Sequence, residues 1–270
     1  MANTETPADG PAPGERLEQL ERAMAVLETF GHERPALTLS EVAQLTGIAR
    51  ASARRILLTL KALGYVKASG RTFSLTPKVL NLGWNYFASL GTDEITRELM
   101  ADLVREIDES CSMVTLDLPD IVYVARVHTR RVMTVGGGIG ARLPAHATAS
   151  GRVLLAALDD EELDAYLAGE PLRAHTPGTL VDPDEFLAEL EAVRERGWAL
   201  VDQELETGLV AVAVPVTGRA GRTTAALSVS SNSARTTVDD LRERCLPPLR
   251  KTAEAVSTAL AHGETRGTLA

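Results

Sequence analysis

The sequence predicts an α+β protein in two parts: a small helical unit ending in a hairpin, then a larger antiparallel sheet with helices outside it, joined by one helix. Three observations carry this. Before residue 64 apolar residues recur at steps of three and four, the period of amphipathic helices. Runs of β-branched residues bounded by turn formers fill 112–135 and 200–230. A chain of 270 residues, 44% hydrophobic and 24% charged, suffices for two cores rather than one.

Residues 1–14, rich in Pro, Gly and Ala, read as a disordered tail. Leu17, Leu20, Met24 and Leu27 then predict a helix over Glu15–Phe30 with one buried stripe, stopped by Gly31. Ser40 stands as an N-cap before Glu41, Val42 and Ala43, and Gly47 closes this short second helix. After a turn at Ile48–Arg50, a third helix buries Ala53, Ile56, Leu57, Leu60 and Leu63 and ends at Gly64. Tyr65–Ala68, a Ser69-Gly70 turn and Arg71–Leu75 predict a hairpin with Tyr65, Phe73 and Leu75 packed inward. Residues 15–76 therefore read as a winged helix-turn-helix.

The charge distribution supports that reading. Net charge is −9, yet 42–92 holds no Asp or Glu and seven cations (Arg50, Arg54, Arg55, Lys61, Lys67, Arg71 and Lys78), leaving −16 on the remainder. A basic block in an acidic chain suits a local polyanion surface, although a solvated helix face explains charge alone equally well. Arg50, Ser52, Arg54 and Arg55 crowd the first half of the third helix, where a helix-turn-helix meets base edges and phosphates. Ser40, at the start of the second helix, and Lys67 and Arg71, flanking the wing turn, complete the candidate DNA contacts.

Thr76-Pro77 caps a connecting helix, Lys78–Leu90, within a linker spanning 77–91. Its Trp84, Tyr86 and Phe87 are too apolar to stay solvated and predict a dimer contact. The second domain, 92–262, opens with an amphipathic helix over Asp93–Asp108. Strands Ser112–Leu118, Ile121–Val127 and Val132–Val135 follow, then a loop Gly136–Gly140 and helices over Ser150–Leu158 and Glu161–Leu167. Asp182-Pro183 caps a helix running to Arg196 and stopped by Gly197. Strands Leu200–Leu205, Val210–Val216 and Ala225–Ser230 precede a closing helix from Thr237, kinked at Pro247-Pro248.

Candidates for catalysis are thin. The glycine loop lacks the Lys-Ser/Thr ending of a phosphate loop, no Gly-x-Ser-x-Gly elbow occurs, and the five histidines never pair at metal-ligand spacing. Two cysteines, Cys111 and Cys245, support neither a disulfide framework nor a zinc ribbon. No catalytic residue, metal or cofactor is therefore assigned. Ser228 and Ser230, two apart on a strand, share one face. Arg126, Arg130 and Arg131 with His128 read as solvated charge around a turn. The longest charge-free stretch, Val79–Thr92, is too short and polar to span a bilayer, and the N-terminus lacks a signal-peptide pattern, so a cytoplasmic protein away from membranes is expected.

Several segments together resemble the IclR family of bacterial transcription regulators, over about Leu17 to Leu260: LTLSEVAQLTGIARASARRILLTLKALGYV, FSLTPKVLNLGWNY, GARLPAHATASGRVLLAAL, GWALVDQELETGLVAVAVPV and AALSVSSN. The resemblance implies a winged helix-turn-helix joined to a GAF-like effector domain, in dimers or tetramers. VARVHTRRVMTVGGGIGARLPAHATASGRVLL is most similar to regulators of protocatechuate and 4-hydroxybenzoate breakdown in the β-ketoadipate pathway. By resemblance the effector sits over Gly140 and Ala141, near Asp202, and against Ser228 and Ser230. Ala211 stands where some relatives have cysteine, which implies a roomier pocket and counts against a two- or three-carbon acid.

The expected function is an effector-responsive regulator of catabolic genes, binding a double-stranded operator as a homodimer or tetramer, with RNA polymerase as a further candidate partner. The effector expected is a small carboxylated, aromatic molecule. The alternatives are a regulator of a glycerol, amino-acid or keto-acid pathway, and a metabolite-binding or enzymatic module whose winged helix binds protein.

Overall fold

The computed structural model describes residues 16–31, 33–83, 94–129, 138–169, 171–218 and 221–263. The chain divides into two compact units, 1–86 and 87–270.

In the first unit, α1 (Glu18–Glu28) is followed by β1 (Leu37–Thr38), α2 (Leu39–Thr46), α3 (Arg50–Ala62), β2 (Val66–Ser69) and β3 (Thr72–Leu75). Val26, Phe30, Val42, Ala53, Leu57, Leu60 and Val66 form its core. The wing is a three-stranded sheet in the order β1-β3-β2, because Leu37 and Thr38 pair with Phe73 and Thr72, an edge too short to register in the sequence. Two expectations change. α1 turns Val26 inward and Phe30 just beyond it is buried too, while Leu17, Leu20 and Met24 stay 71%, 59% and 44% exposed, since only one flank of α1 has a partner within the unit. Its last turn ends at Thr29, whose hydroxyl donates to the Val26 carbonyl at 2.7 Å, ahead of Gly31.

The second helix is capped by Thr38, not Ser40. Thr38 Oγ1 accepts the Glu41 N–H at 3.3 Å and the Glu41 carboxylate accepts the Thr38 N–H at 2.7 Å, a reciprocal pair that satisfies two end donors. The Thr38 N–H, together with the Thr38 hydroxyl donating to the same carboxylate at 2.8 Å, holds the Glu41 carboxyl below its ordinary range. Ser40 lies one residue inside the helix, exposed. Gly47 closes α2 at φ +67°, a left-handed conformation natural to glycine. Beyond β3, Thr76 caps a 3₁₀ turn, Pro77–Val79, which runs on helically to residue 83. Trp84, Tyr86 and Phe87 lie outside the described residues.

The second unit comprises α4 (Glu94–Ile107), β4 (Ser110–Asp117), β5 (Asp120–Val127), β6 (Arg142–Pro144), α5 (Ala149–Leu155), α6 (Asp160–Gly169), α7 (Pro183–Arg196), β7 (Ala199–Asp202), β8 (Leu209–Thr217), β9 (Thr223–Asn232), α8 (Val238–Asp240) and α9 (Leu246–Gly263). Six strands form one antiparallel sheet in the order β6-β5-β4-β9-β8-β7. β6 is an edge strand the sequence did not signal; the strand expected at Val132–Val135 lies outside the described residues, as do Arg130 and Arg131.

Strand alternation sends one set of side chains to each face. On one face Val212, Leu227 and Val229 pack with Met100 and Leu103 of α4 and Leu249 and Val256 of α9. On the other, Ala213 and Ala226 pack with Val153 and Leu154 of α5, Tyr166 of α6 and Phe186 of α7. A bulge interrupts β5: Met113 pairs with Ala125 but Val114 pairs with Tyr123, leaving Val124 as the extra residue and turning both Val124 and Ala125 toward the α4/α9 face. The closing helix opens at a Thr237–Asp240 capping box and widens to a π-helical stretch over Leu241–Cys245. There the Leu246 N–H donates to the Leu241 carbonyl, five residues back, immediately before Pro247 and Pro248, which bring no N–H of their own.

Candidate nucleic-acid interface and effector cavity

The DNA-facing candidates are all displayed, but on different flanks. With Ala53, Leu57 and Leu60 inward, Arg50 and Arg54, four apart, share one outer flank of α3. Arg55 and Ser52 turn toward α1, where they border an apolar groove with Leu20, Met24, Ile56 and Leu63. Arg50, Arg54 and Arg55 are exposed and Ser52 is half-buried. Lys67 and Arg71 are exposed on either side of the Gly70 turn. Among the described residues these five cations make no ion pair, which leaves their charge available to phosphate. Lys78 is different: its Nζ donates to the Leu63 carbonyl at 2.8 Å and lies 5.0 Å from the Tyr65 ring centroid, so it closes the end of α3.

In the second unit a cavity of about 40 Å³ lies between the sheet and the start of α5. Ser228 and Ser230 reach it from β9, Ala211 from β8, Tyr123 and Ile121 from β5. Thr148, Ala149 and Ser150 close it from the α5 side, Leu205 from the β7–β8 connection and Leu209 from the start of β8. The shared face expected of Ser228 and Ser230 is therefore the cavity face. The lining mixes apolar walls with five hydroxyl groups and includes no charged side chain. Two of those hydroxyls are engaged locally: Thr148 Oγ1 accepts the Gly151 N–H at 3.1 Å, and Ser228 Oγ approaches the Ser112 carbonyl at 3.4 Å.

Gly140, Ala141 and Asp202 do not line this cavity. The Gly140 N–H donates to the Tyr123 carbonyl at 2.8 Å and the Ala141 N–H to the Gly138 carbonyl at 3.0 Å, so both amides are already used. The Ala141 carbonyl accepts the Tyr123 N–H at 3.0 Å. Their visible work is to fasten Tyr123 along the sheet edge. Asp202 is exposed and accepts a hydrogen bond from the Gln203 side chain at 3.2 Å.

Two features escaped the sequence reading. Arg126 is not turn charge: it lies on β5, half-buried, with its guanidinium 5.0 Å from the Tyr123 ring centroid, and burial holds it below its ordinary pKa. The strand pattern put Arg126 inside Ile121–Val127, but neither the side it faces nor the bulge beside it is written in the periodicity. The second feature is a buried ion pair between Arg152 and Glu204. Arg152 Nε donates to the His146 carbonyl at 3.1 Å, and the Glu204 carboxylate accepts the Leu180 N–H at 2.9 Å. This pair ties PAHATASGR to VDQELETG, two motifs that the sequence shows only as separate strings. Gly151, next to Arg152, has no room for a side chain: a Cβ there would stand 2.0 Å from the Ala145 carbonyl oxygen.

No helix among the described residues is long and apolar enough to cross a membrane. A helix-turn-helix family model, the IclR helix-turn-helix domain, matches residues 19–70, and the model for the C-terminal domain of bacterial IclR transcriptional regulators matches residues 85–258. The Pca regulon regulatory protein of Pseudomonas putida is 42% identical over 231 residues, covering 85% of this chain and 79% of that protein. A transcriptional regulator from Rhodococcus sp. RHA1 has a crystal structure with a TM-score of 0.81 at 46% identity, covering 91% of this chain and 99% of that one. The inducer-binding domain of an Acinetobacter PobR double mutant, solved with 3-hydroxybenzoic acid, has a TM-score of 0.59 at 35% identity, covering 61% of this chain and 96% of that one. With both units matched in order and the similarity running through nearly the whole length, the chain belongs to the IclR family of bacterial transcriptional regulators.

Proposed function

We propose that this regulator controls genes of aromatic-acid catabolism and responds to a hydroxylated aromatic carboxylate bound in the cavity between α5 and the sheet. The observation that carries the reading is the cavity's chemistry: hydroxyls of Ser228, Ser230, Tyr123 and Ser150 set in apolar walls suit a flat ring bearing a few polar groups. The P. putida relative is named for the Pca regulon, and the PobR domain holds 3-hydroxybenzoic acid. About 40 Å³ admits only a few water molecules, so a ring enters by displacing wall side chains, of which Leu205 and Leu209 are half-buried. Gly140 and Ala141 act through Tyr123, and Asp202 stands outside the direct contacts.

In this reading Arg50, Arg54 and Arg55 approach the major groove with Ser52 and Ser40 at its edge, and Lys67 and Arg71 hold adjacent phosphates. A homodimer, assembled through the apolar linker around Trp84, Tyr86 and Phe87, brings two such helices to one operator. The effector then favours one spacing of the half-sites over another by binding that arrangement better.

Calorimetry with protocatechuate, 4-hydroxybenzoate, β-ketoadipate and pyruvate, paired with operator mobility shifts of wild type and Arg54→Ala, tests the proposal. Expected are binding of an aromatic acid and a loss of about 1–3 kcal/mol in specific DNA affinity for Arg54→Ala. Tight pyruvate binding with no aromatic response overturns the effector assignment; an unchanged shift for Arg54→Ala overturns the assignment of α3 as the reading helix.

A further inference from the structure

A carboxylate taken out of water needs a countercharge, and the cavity wall has only hydroxyls to offer. The sheet register supplies a cation beside it. Arg126 on β5 stands opposite Ser112 on β4, which stands opposite Ser228 on β9, which stands opposite Ala213 on β8. Residues directly opposite on neighbouring strands share a face, so Arg126 belongs to the Ser228 side of the sheet. Between them in the register stands Ser112, small and buried. The Arg126 guanidinium rests over the ring of Tyr123, itself a wall of the cavity.

We propose, resting on the effector reading above, that Arg126 receives the effector's carboxylate, with Tyr123 holding its guanidinium at the cavity and Ser228 contributing a second donor. The planar guanidinium presents paired N–H donors that match the two oxygens of a carboxylate. Burial already disfavours its charge, and an arriving anion offsets that cost. The site thus selects acids over uncharged molecules of the same shape.

The test is calorimetry of the full chain with protocatechuate and 4-hydroxybenzoate, each beside its methyl ester. Wild type is expected to prefer the acid over the ester at least about tenfold. Arg126→Gln should weaken acid binding about 10- to 100-fold and leave the ester within about threefold, while Arg126→Lys restores part of the acid preference. A role confined to folding would move acid and ester together, so an unchanged acid-to-ester ratio in Arg126→Gln overturns the proposal and leaves the effector reading standing. Wild type binding the ester as tightly as the acid overturns it without any variant. Wild type binding neither acid removes both readings.

Discussion

Replacing Arg152 should cost more stability than replacing any exposed arginine of the chain, because it strands a carboxylate. The side chains of Arg152 and Glu204 are 3% and 11% exposed. Arg152→Met keeps an unbranched apolar stem in place but removes the guanidinium, which lies 5.8 Å from the Phe186 ring centroid. It leaves the Glu204 carboxylate with the Leu180 N–H at 2.9 Å but without the guanidinium. Breaking a buried pair on one side costs about 3–5 kcal/mol. At about 2–4 °C per kcal/mol for a domain of this size, the effector domain should melt roughly 6–20 °C lower. Arg152→Met with Glu204→Met should recover most of that loss, less about 1–3 kcal/mol for the Leu180 amide left without its acceptor. Urea unfolding of wild type, both single variants and the double variant gives the coupling energy directly. If Arg152→Met lies within about 1 kcal/mol of wild type and the double variant is additive, the pair does not fasten α5 to the β7–β8 connection. Ala147 to Ser150 on one side of the pair and Leu205 on the other line the cavity, so effector affinity should fall with stability.

Gly151→Ala should destabilise by at least about 1–3 kcal/mol in denaturant titrations, since a Cβ 2.0 Å from backbone cannot be relieved by turning a side chain. Wild-type stability there would mean that α5 shifts freely against Ala145. Ala211→Leu fills the cavity from β8 and should abolish aromatic-acid binding by calorimetry while leaving operator shifts intact; retained binding would place the effector elsewhere. Burial holds the His146 pKa below its ordinary value, as it does that of His128. The unfolded chain therefore takes up these protons first, and stability should fall as pH drops through about 6.5, levelling off below the folded-state pKa. His146→Gln should flatten that slope in melting temperatures between about pH 7.5 and 5.5, and an unaltered slope would remove His146 from the account.

How much of this was legible in advance follows from what a linear pattern encodes. Periodicity placed α3 and the strands around Ser112, Val210 and Ala225, because alternation and three-four steps report which residues of one element share a side. Periodicity says nothing of the second helix cap: Thr38 and Ser40 are both good caps, and the spacing Thr38-x-x-Glu41, legible in the sequence, is what favours Thr38, whose reciprocal bonds with Glu41 the structure shows. It buried Leu17, Leu20 and Met24, since an amphipathic stripe states that a face wants cover and not whether cover is present in the same unit.

The cavity depended on facts of another kind. That Ser228 and Ser230 share a face could be read from their spacing; that Arg126 joins them required the β5-β4-β9 order and the register of both pairings. The bulge at Val124 sharpens the point. Counting alternately from Ile121 and Tyr123, both on the cavity side, assigns Ala125 to that side and Arg126 to the other. One extra residue reverses the assignment, sends Ala125 to the α4/α9 core and brings Arg126 to the cavity face. A charge that simple alternation places away from the cavity thereby stands on the cavity's side of the sheet, and the acid-over-ester preference proposed for this regulator depends on that single inserted residue.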